Sequence, residues 1–361
     1  MNTAFWRGKR VFVTGHTGFK GGWLCFWLRH LGAEVCGYAL PPTISQTLFS
    51  DLRLSGDIQS LFGDITDRDQ LMSALVDFKA DIVIHMAAQP LVQKSFHDPH
   101  ETFNTNVMGT VNLLEAVRQC ETVRSCVIIT TDKCYQNDEW VWPYRENDRL
   151  GGDDPYSNSK ACAELVTHSY YKSFFSNGTA DKTACAVATA RAGNVIGGGD
   201  WADDRLIPDL VRALNKSEKL NLRNPKATRP WQFVMEPLRG YLTLAEKLYE
   251  AGQDYTGGWN FGPKSDETRS VEWVVDRFFD SLNRPKDWHV ANNSFFPEKQ
   301  LLRLDISKAG DRLHWQPVLS IDDGVRYTAD WYAAFLDGAD LYKISLDQLH
   351  HYEKTACAKS L

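Results

Sequence analysis

Long apolar runs are missing from this sequence: no stretch approaches the roughly 18 consecutive apolar residues of a membrane span, and the first ten residues, MNTAFWRGKR, contain no apolar core of a secretory signal. Positive charge is not in excess either. The 40 Lys and Arg are outnumbered by 46 Asp and Glu, a formal net charge of -6, which leaves no basic stripe for a nucleic-acid backbone to follow. The eight cysteines, at 25, 36, 120, 126, 134, 162, 185 and 357, form no CxxC pair, and most sit in apolar segments such as SCVIIT. Buried free thiols in a reducing compartment are therefore expected in place of a zinc site or a disulfide framework. The ten histidines supply no HExxH pattern, and His97 and His100 straddle a helix-breaking proline, so no metal is expected. Tandem repeats, low-complexity tracts and long charged tails are absent as well. What remains is a cytoplasmic globular protein with neither nucleic acid nor membrane as partner, a class that 43% hydrophobic and 24% charged residues suit.

Apolar, β-branched runs recur through the first two thirds: RVFVT (10–14), EVCGYAL (34–40), DIVIHMA (81–87), CVIIT (126–130) and ACAVATA (184–190). Near-continuous apolarity suits strands buried on both faces of a parallel sheet. Between them lie helical patterns, FKGGWLCFWLRHLG, DRDQLMSALVDF, NTNVMGTVNLLEAVRQC and YSNSKACAELVTHSYYKSFF; in the third, Val107, Val111, Leu114 and Val117 recur at helical spacing and are expected to face the sheet. Strands alternating with helices predict right-handed βαβ units in an α/β, Rossmann-type doubly wound sheet with its ligand crevice at the carboxyl ends of the strands. From about residue 195 the rhythm breaks into Gly-, Pro-, Asn- and Trp-rich segments. The expected organisation is a dinucleotide-binding domain over 1–190, whose core continues into parts of 235–265, and an interleaved smaller lobe over 191–361.

Gly15, Gly18 and Gly21 recur at three-residue spacing where the first strand turns into the first helix. Backbone without Cβ turns tightly there and lets a pyrophosphate approach the helix N-terminus. The spacing, GxxGxxG, differs from the best-known dinucleotide fingerprint, GxGxxG. The acid expected at the end of the second strand to bind the adenosine ribose is replaced by Tyr38, Ala39 and Leu40, and no Arg follows closely to hold a 2'-phosphate, which favours NAD over NADP. Tyr156 and Lys160 lie four apart, on one face of the helix that starts there. A phenol of pKa about 10 is a poor base unless a nearby ammonium stabilises its phenolate; as such it can take a proton from a hydroxyl. Thr131, at the carboxyl end of a buried strand, is placed to orient the same oxygen.

Taken with these, ten ordered motifs carry a resemblance along nearly the whole chain: TGxxGFxG (14–21), GDITD (63–67), HMAAQ (85–89), NTNVMGT (104–110), TTDKCY (130–135), YxxxK (156–160), RAGNVIGGGD (191–200), RLIPD (205–209), RPWQFV (229–234) and RLDISKA (303–309). The sequence resembles the extended short-chain dehydrogenase/reductases, and within them the nucleotide-sugar 4,6-dehydratases. The resemblance implies NAD held by Gly15, Thr17, Gly18, Phe19, Lys20, Gly21, Asp64, Ile65, Ala87, Ala88, Gln89, Asn106, Thr130, Tyr156 and Lys160, with Asp64 and Ile65 at the adenine. It implies a nucleotide sugar held by Gln89, Asn194, Arg205, Leu206, Arg229, Trp231 and Arg303, the arginines at Arg229 and Arg303 being candidates for forked phosphate contacts. Trp201 is a further candidate for shaping the pocket, with plain packing as the alternative.

Which reaction the family member runs turns on Thr131, Asp132 and Lys133. The 4,6-dehydratases carry T-D-E there, an acid for the leaving C6 hydroxyl and a carboxylate for the C5 proton, and epimerases generally lack the Asp. Asp132 fits the acid if burial keeps its proton on. Lys133 departs from the pattern: it takes a proton only when neutral, or stabilises enolate charge as a cation, or is simply paired with Asp132 or another acid on the rim. The T-D-K version resembles the branch acting on CDP-D-glucose, which implies C4 oxidation, loss of water across C5 and C6, hydride return to C6, and a place in O-antigen deoxysugar biosynthesis. A 4,6-dehydratase for another nucleotide, a 4-epimerase and a non-catalytic NAD-binding regulator are the alternatives. The resemblance also implies a homodimer, or a dimer of dimers, built on the YxxxK helix and the helix before it; Cys162, Leu165 and Val166 belong either to that face or to the sheet-facing side.

Overall fold

Seven short runs become the strands of one all-parallel sheet: β1 (Arg10–Thr14), β2 (Glu34–Ala39), β3 (Gln59–Phe62), β4 (Ile82–His85), β5 (Ser125–Ile129), β6 (Ala186–Ala192) and β7 (Gly257–Phe261), in the order β7-β6-β5-β4-β1-β2-β3. The computed structural model describes residues 1–44, 46–176, 185–290 and 299–359. The principal helices are α1 (Phe19–His30), α2 (Arg68–Phe78), α3 (Gly109–Gln119), α4 (Pro155–Tyr170), α5 (Leu206–Lys216), α6 (Met235–Ala251), α7 (Val271–Ser281), α8 (Ile321–Leu336) and α9 (Leu341–Lys359).

Period-two alternation along the central strands splits the core into two layers. Val11, Val13, Ile84 and Val127 face a cluster that includes α1, α6 and the C-terminal helices, while Phe12, Val83, Cys126 and Ile128 face α2 and α3. Because both faces are covered, β4, β5 and β6 are buried at every position, which is why they read as continuous apolar runs. Helix α1 is buried without interruption from Gly21 to Leu28, since the sheet covers one side and the C-terminal segment the other, where Trp27 donates to Glu353 at 2.8 Å. Burying leucines such as Leu24 and Leu28 there contributes about 1.5–3 kcal/mol each.

Between β1 and β4, paired from Val11↔Ile82 to Thr14↔His85, the strand order reverses, and a crevice opens at their carboxyl ends. Three two-stranded ribbons in the second half of the chain form its far wall, pairing Val195–Ile196 with Gln232–Phe233, Leu220–Leu222 with Trp288–Val290, and Thr228–Arg229 with Arg269–Ser270.

Two sequence expectations shift. The sixth strand runs from Ala186 to Ala192 rather than over 184–190, Ala184 lying outside the described residues; Arg191 looks like a strand stop, yet stays in the ladder because Glu164 neutralises it at 2.7 Å. In the third helical segment, Asn104–Met108 forms a π-helical turn before α3 begins. The buried stripe runs through Asn106, Thr110, Leu113, Leu114 and Val117, and Val107 and Val111, one residue round the helix from Asn106 and Thr110, are only half-buried. All eight cysteines are free, and six of them are buried. Among the described residues, no helix is long and apolar enough to cross a membrane.

Candidate active site

The glycine turn is tight for stated reasons. Gly15 has φ +78°, and a Cβ there would sit 2.8 Å from the Ala87 nitrogen; a Cβ on Gly21 would sit 2.1 Å from the Gly15 carbonyl oxygen. These two glycines let β1, the start of α1 and the loop after β4 converge. The loop is fixed from the other side by Thr14, whose Oγ1 accepts from the Met86 and Ala87 N–H groups at 3.1 Å each. Helix α1 opens at Gly18 with no side-chain cap and no acid in its first turn, so its leading N–H groups face the crevice unneutralised. That chemistry fits an anionic pyrophosphate. Thr17 donates to the Leu40 carbonyl at 3.1 Å, and exposed Asp64 accepts from Thr66 at the end of β3, above buried Ile65.

Beyond the glycines lies a cleft of about 330 Å³, lined by Phe19, Lys20, Thr130, Thr131, Asp132, Lys133, Tyr156, Asn194, Arg205, Leu206, Arg229 and Trp231 together with Asn221, Arg223 and Asn224. Helix α4 brings Tyr156 there because Asp154 caps it, accepting from the Ser157 N–H at 2.9 Å, with Pro155 in its first turn. Thr131, Asp132 and Lys133 leave β5 on a 3₁₀ turn capped by Thr131 itself. The Thr131 hydroxyl donates to Asp132 Oδ1 at 3.0 Å, and the buried Oδ2 has no partner. Burial pushes the Asp132 carboxyl above its ordinary range against the opposing pull of Lys133, which favours the protonated acid. No ion pair holds Lys133 among the described residues; it is half-buried at the cleft, where its charge opposes the effect of burial on Asp132.

Lys160 is fully enclosed and donates to the Ile129 carbonyl at 3.2 Å. Burial lowers its pKa to about 8 against the opposing charge of Glu164. Burial raises Tyr156 to about 12, and the influences leading the opposition are the Thr131 hydroxyl and the Arg205 guanidinium. The phenolate is thus supported by a threonine and an arginine. Lys20 is lowered to about 7 by burial, then by Arg205 and Lys160; its ammonium stands 5.9 Å over the Tyr241 ring, whose buried hydroxyl has no partner.

Other expected residues are placed differently. Gln89 is committed to the scaffold, donating to Leu91 O (3.0 Å) and Thr102 Oγ1 (2.9 Å). Asn106 locks the loop after β4 to α4 through Gln89 and Ser159, so it lies behind the site. Arg303 is not among the residues lining this cleft; its Nη1 donates toward Val141 O at 3.5 Å, next to the bridge between Tyr144 and Leu304. Arg229 donates to Thr228 O and Gln300 O, and Arg205 pairs with Asp200 at 2.9 Å. Trp231 lines the cleft, donating to Arg269 O, whereas Trp201 packs among Trp331, Tyr332 and Phe335. Arg223 and Asn224, missed in the sequence, sit in RNP, in the bend and turn that follow the wall strand Leu220–Leu222.

A profile described as GDP-mannose 4,6 dehydratase matches residues 12–328. The chain is 47% identical over 348 residues to the CDP-glucose 4,6-dehydratase of Salmonella typhimurium, covering 96% of this chain and 97% of that one. Among solved structures, the dTDP-glucose 4,6-dehydratase of Bacillus anthracis in complex with NAD superposes with a TM-score of 0.76 at 20% identity, covering 93% of this chain and 100% of that one. The UDP-glucuronic acid 4-epimerase of Bacillus cereus, in complex with UDP-glucuronic acid and NAD, gives 0.76 at 24% identity, covering 90% and 99%. With a family match spanning most of its length and a glycine turn, a Thr-Asp-Lys turn and a Tyr-Lys helix meeting at one crevice, the chain belongs to the GDP-mannose 4,6 dehydratase family.

Proposed function

We propose that this protein is an NAD-dependent hydro-lyase that converts CDP-D-glucose to CDP-4-keto-6-deoxy-D-glucose. The observation that carries the substrate is the 47% identity, over almost the whole chain, to a CDP-glucose 4,6-dehydratase; the acid in the Thr131–Asp132–Lys133 turn supports elimination over epimerisation. NAD, held by the turn of Gly15, Gly18 and Gly21 at the start of α1, would supply a hydride acceptor for C4 and a hydride donor for C6. The chain's own residues do the rest. Tyr156 takes the proton of the C4 hydroxyl, oriented by Thr131, while Lys160 and Arg205 stabilise the phenolate. The new C4 ketone acidifies C5. Asp132, kept protonated by burial, delivers its proton to the departing C6 hydroxyl. Lys133 receives the C5 proton and returns one to C5 as the hydride adds at C6, or holds the enolate charge as a cation while another group moves that proton. Arg229 and Arg205 supply positive charge for the diphosphate, and Asn194, Leu206, Trp231 and Arg223 shape the nucleotide end.

We infer a cytoplasmic enzyme whose product feeds deoxysugar biosynthesis of the O-antigen kind, and a dimer formed through α3 and α4. Leu165 is exposed on α4, with Met108 and Phe174 exposed nearby, while Val166 packs toward the second core layer and Cys162 is half-buried. Light scattering tests the dimer: a monomer mass at all concentrations contradicts it. The activity is tested by incubating the protein with NAD and, separately, the glucose esters of CDP, dTDP, UDP and GDP, then weighing the products. Loss of one water from the CDP sugar is expected; an unchanged mass with inversion at C4 would make it an epimerase.

A further inference from the structure

Glu164 follows Lys160 by one helical turn, so Tyr156, Lys160 and Glu164 form a single row on α4. Its carboxylate is 4% exposed and accepts four hydrogen bonds. Thr130 and Arg191 Nε (3.0 Å) donate to Oε1; Thr189 (2.6 Å) and Arg191 Nη2 (2.7 Å) donate to Oε2. Arg191, equally buried, reaches on with Nη1 to the Tyr135 hydroxyl at 2.7 Å and the Glu146 carbonyl at 3.1 Å. Tyr135 in turn donates to Asn260 Oδ1 at 2.7 Å, and Asn260 donates to the carbonyls of Tyr144 and Asp305.

Thr130 and Tyr135 are the residues on either side of Thr131–Cys134. Both ends of the reactive turn therefore terminate in one buried ion pair, and that pair is rooted in the helix that carries Tyr156 and Lys160. We propose that the Glu164–Arg191 pair is the positioning clamp of the reaction site, holding both ends of the Thr131–Asp132–Lys133 turn against α4 and supplying the negative charge beneath Lys160. The kinetic part rests on the dehydratase reading; the clamp itself does not.

Charge at Lys160 follows from what surrounds it. The titratable groups facing it are Tyr156 and Glu164 on its own helix, Lys20 on α1, His85 on β4 and Cys134 in the turn. Burial holds His85 neutral and raises the Cys134 thiol, and Lys20 is a cation or neutral. Glu164 is the carboxylate of the set. Burial pushes it up, but Arg191 and the hydrogen bonds outweigh burial and keep it ionised. Without it, Lys160 loses its proton at lower pH, and the phenolate of Tyr156 loses a cation.

Glu164→Gln alone strands a buried arginine and risks misfolding, so the decisive variant is Glu164→Gln with Arg191→Met, which removes both charges. Tyr135→Phe releases one end of the turn while leaving the pair intact. In the folded double variant, NMR titration of the Lys160 Cε in the absence of sugar is expected to fall by about one pH unit, with Tyr135→Phe leaving it in place. With CDP-D-glucose, kcat is expected to drop about 100-fold in the double variant and to drop in Tyr135→Phe, while KM stays within a few-fold. An unmoved Lys160 titration, or wild-type kcat in the folded double variant, overturns the clamp. Because the titration needs no sugar, it decides the clamp even if the wild-type protein leaves CDP-D-glucose intact, a result that counts against the proposed activity instead.

Discussion

Gly21→Ala places a methyl group where the turn has no room. Its Cβ would stand 2.1 Å from the Gly15 carbonyl oxygen, 2.8 Å from the Gly15 carbonyl carbon and 3.0 Å from His16 Cα. These are backbone atoms and they are tied: Gly15 N–H donates to Tyr38 O at 2.8 Å and Gly15 O accepts from Gly18 N–H at 3.1 Å. Relief needs α1 to retreat by roughly 1 Å, an overpacking strain of about 1–3 kcal/mol that exceeds the gain of up to ~1 kcal/mol from replacing a helical glycine. The same retreat withdraws the uncapped N–H groups of the helix's first turn, after Gly18, from a bound pyrophosphate. Losing one charge-assisted hydrogen bond of about 1.5–3 kcal/mol weakens NAD roughly 10- to 150-fold. Gly56→Ala, which meets nothing within 4 Å, is the matched control. Urea unfolding and NAD titration by tryptophan fluorescence would be run on both. NAD affinity within twofold of wild type in a folded Gly21→Ala protein would refute the steric argument.

Tyr156→Phe is expected to reduce turnover by about 10²–10⁴-fold while nucleotide binding survives; steady-state rates beside a CDP titration check it, and undiminished turnover contradicts the role. Asp132→Asn keeps the shape and the contact with Thr131 but cannot deliver a proton to the C6 oxygen, so water loss should fall by about 10²–10³-fold with KM little changed, read by product mass against time. In the wild type, activity should fall as pH rises through about 8, where Lys160 gives up its charge; a rate profile that stays flat to pH 10 contradicts this. Acid stability follows two imidazoles, lowered by burial to about 4 at His16 and about 3 at His85. Between those values and about 6.5 the unfolded chain binds more protons, so stability rises with pH through that window. Unfolding at pH 4.5 should cost about 2–3 kcal/mol less per imidazole than at pH 7.5, measured by urea melts of wild type beside His85→Gln.

The features legible in the sequence are those that obey local rules. Buried parallel strands announce themselves as apolar runs, the glycine turn by residues that tolerate no Cβ, and α4 by Asp154, Pro155 and the four-residue spacing of Tyr156 and Lys160. What was not legible depends on partners distant in the chain. Arg191 reads as the end of a strand until Glu164, 27 residues earlier, neutralises it. Polar Asn106 and Thr110 occupy the buried stripe before and within α3, so hydrophobic spacing alone puts the half-buried Val107 and Val111 on it. The position of Arg303 is set by a backbone bridge between Tyr144 and Leu304, which local spacing does not reveal. The part of Arg205 in supporting Tyr156 needs three dimensions, since 49 residues separate them.

An internal redox cycle is the central claim, and CDP-D-glucose carrying deuterium at C4 tests it most directly. With NAD and the protein in ordinary water, the account predicts a product lighter by one water that keeps the deuterium, now on C6. A product of unchanged mass, or one that loses water but gives its deuterium up to solvent, would contradict it.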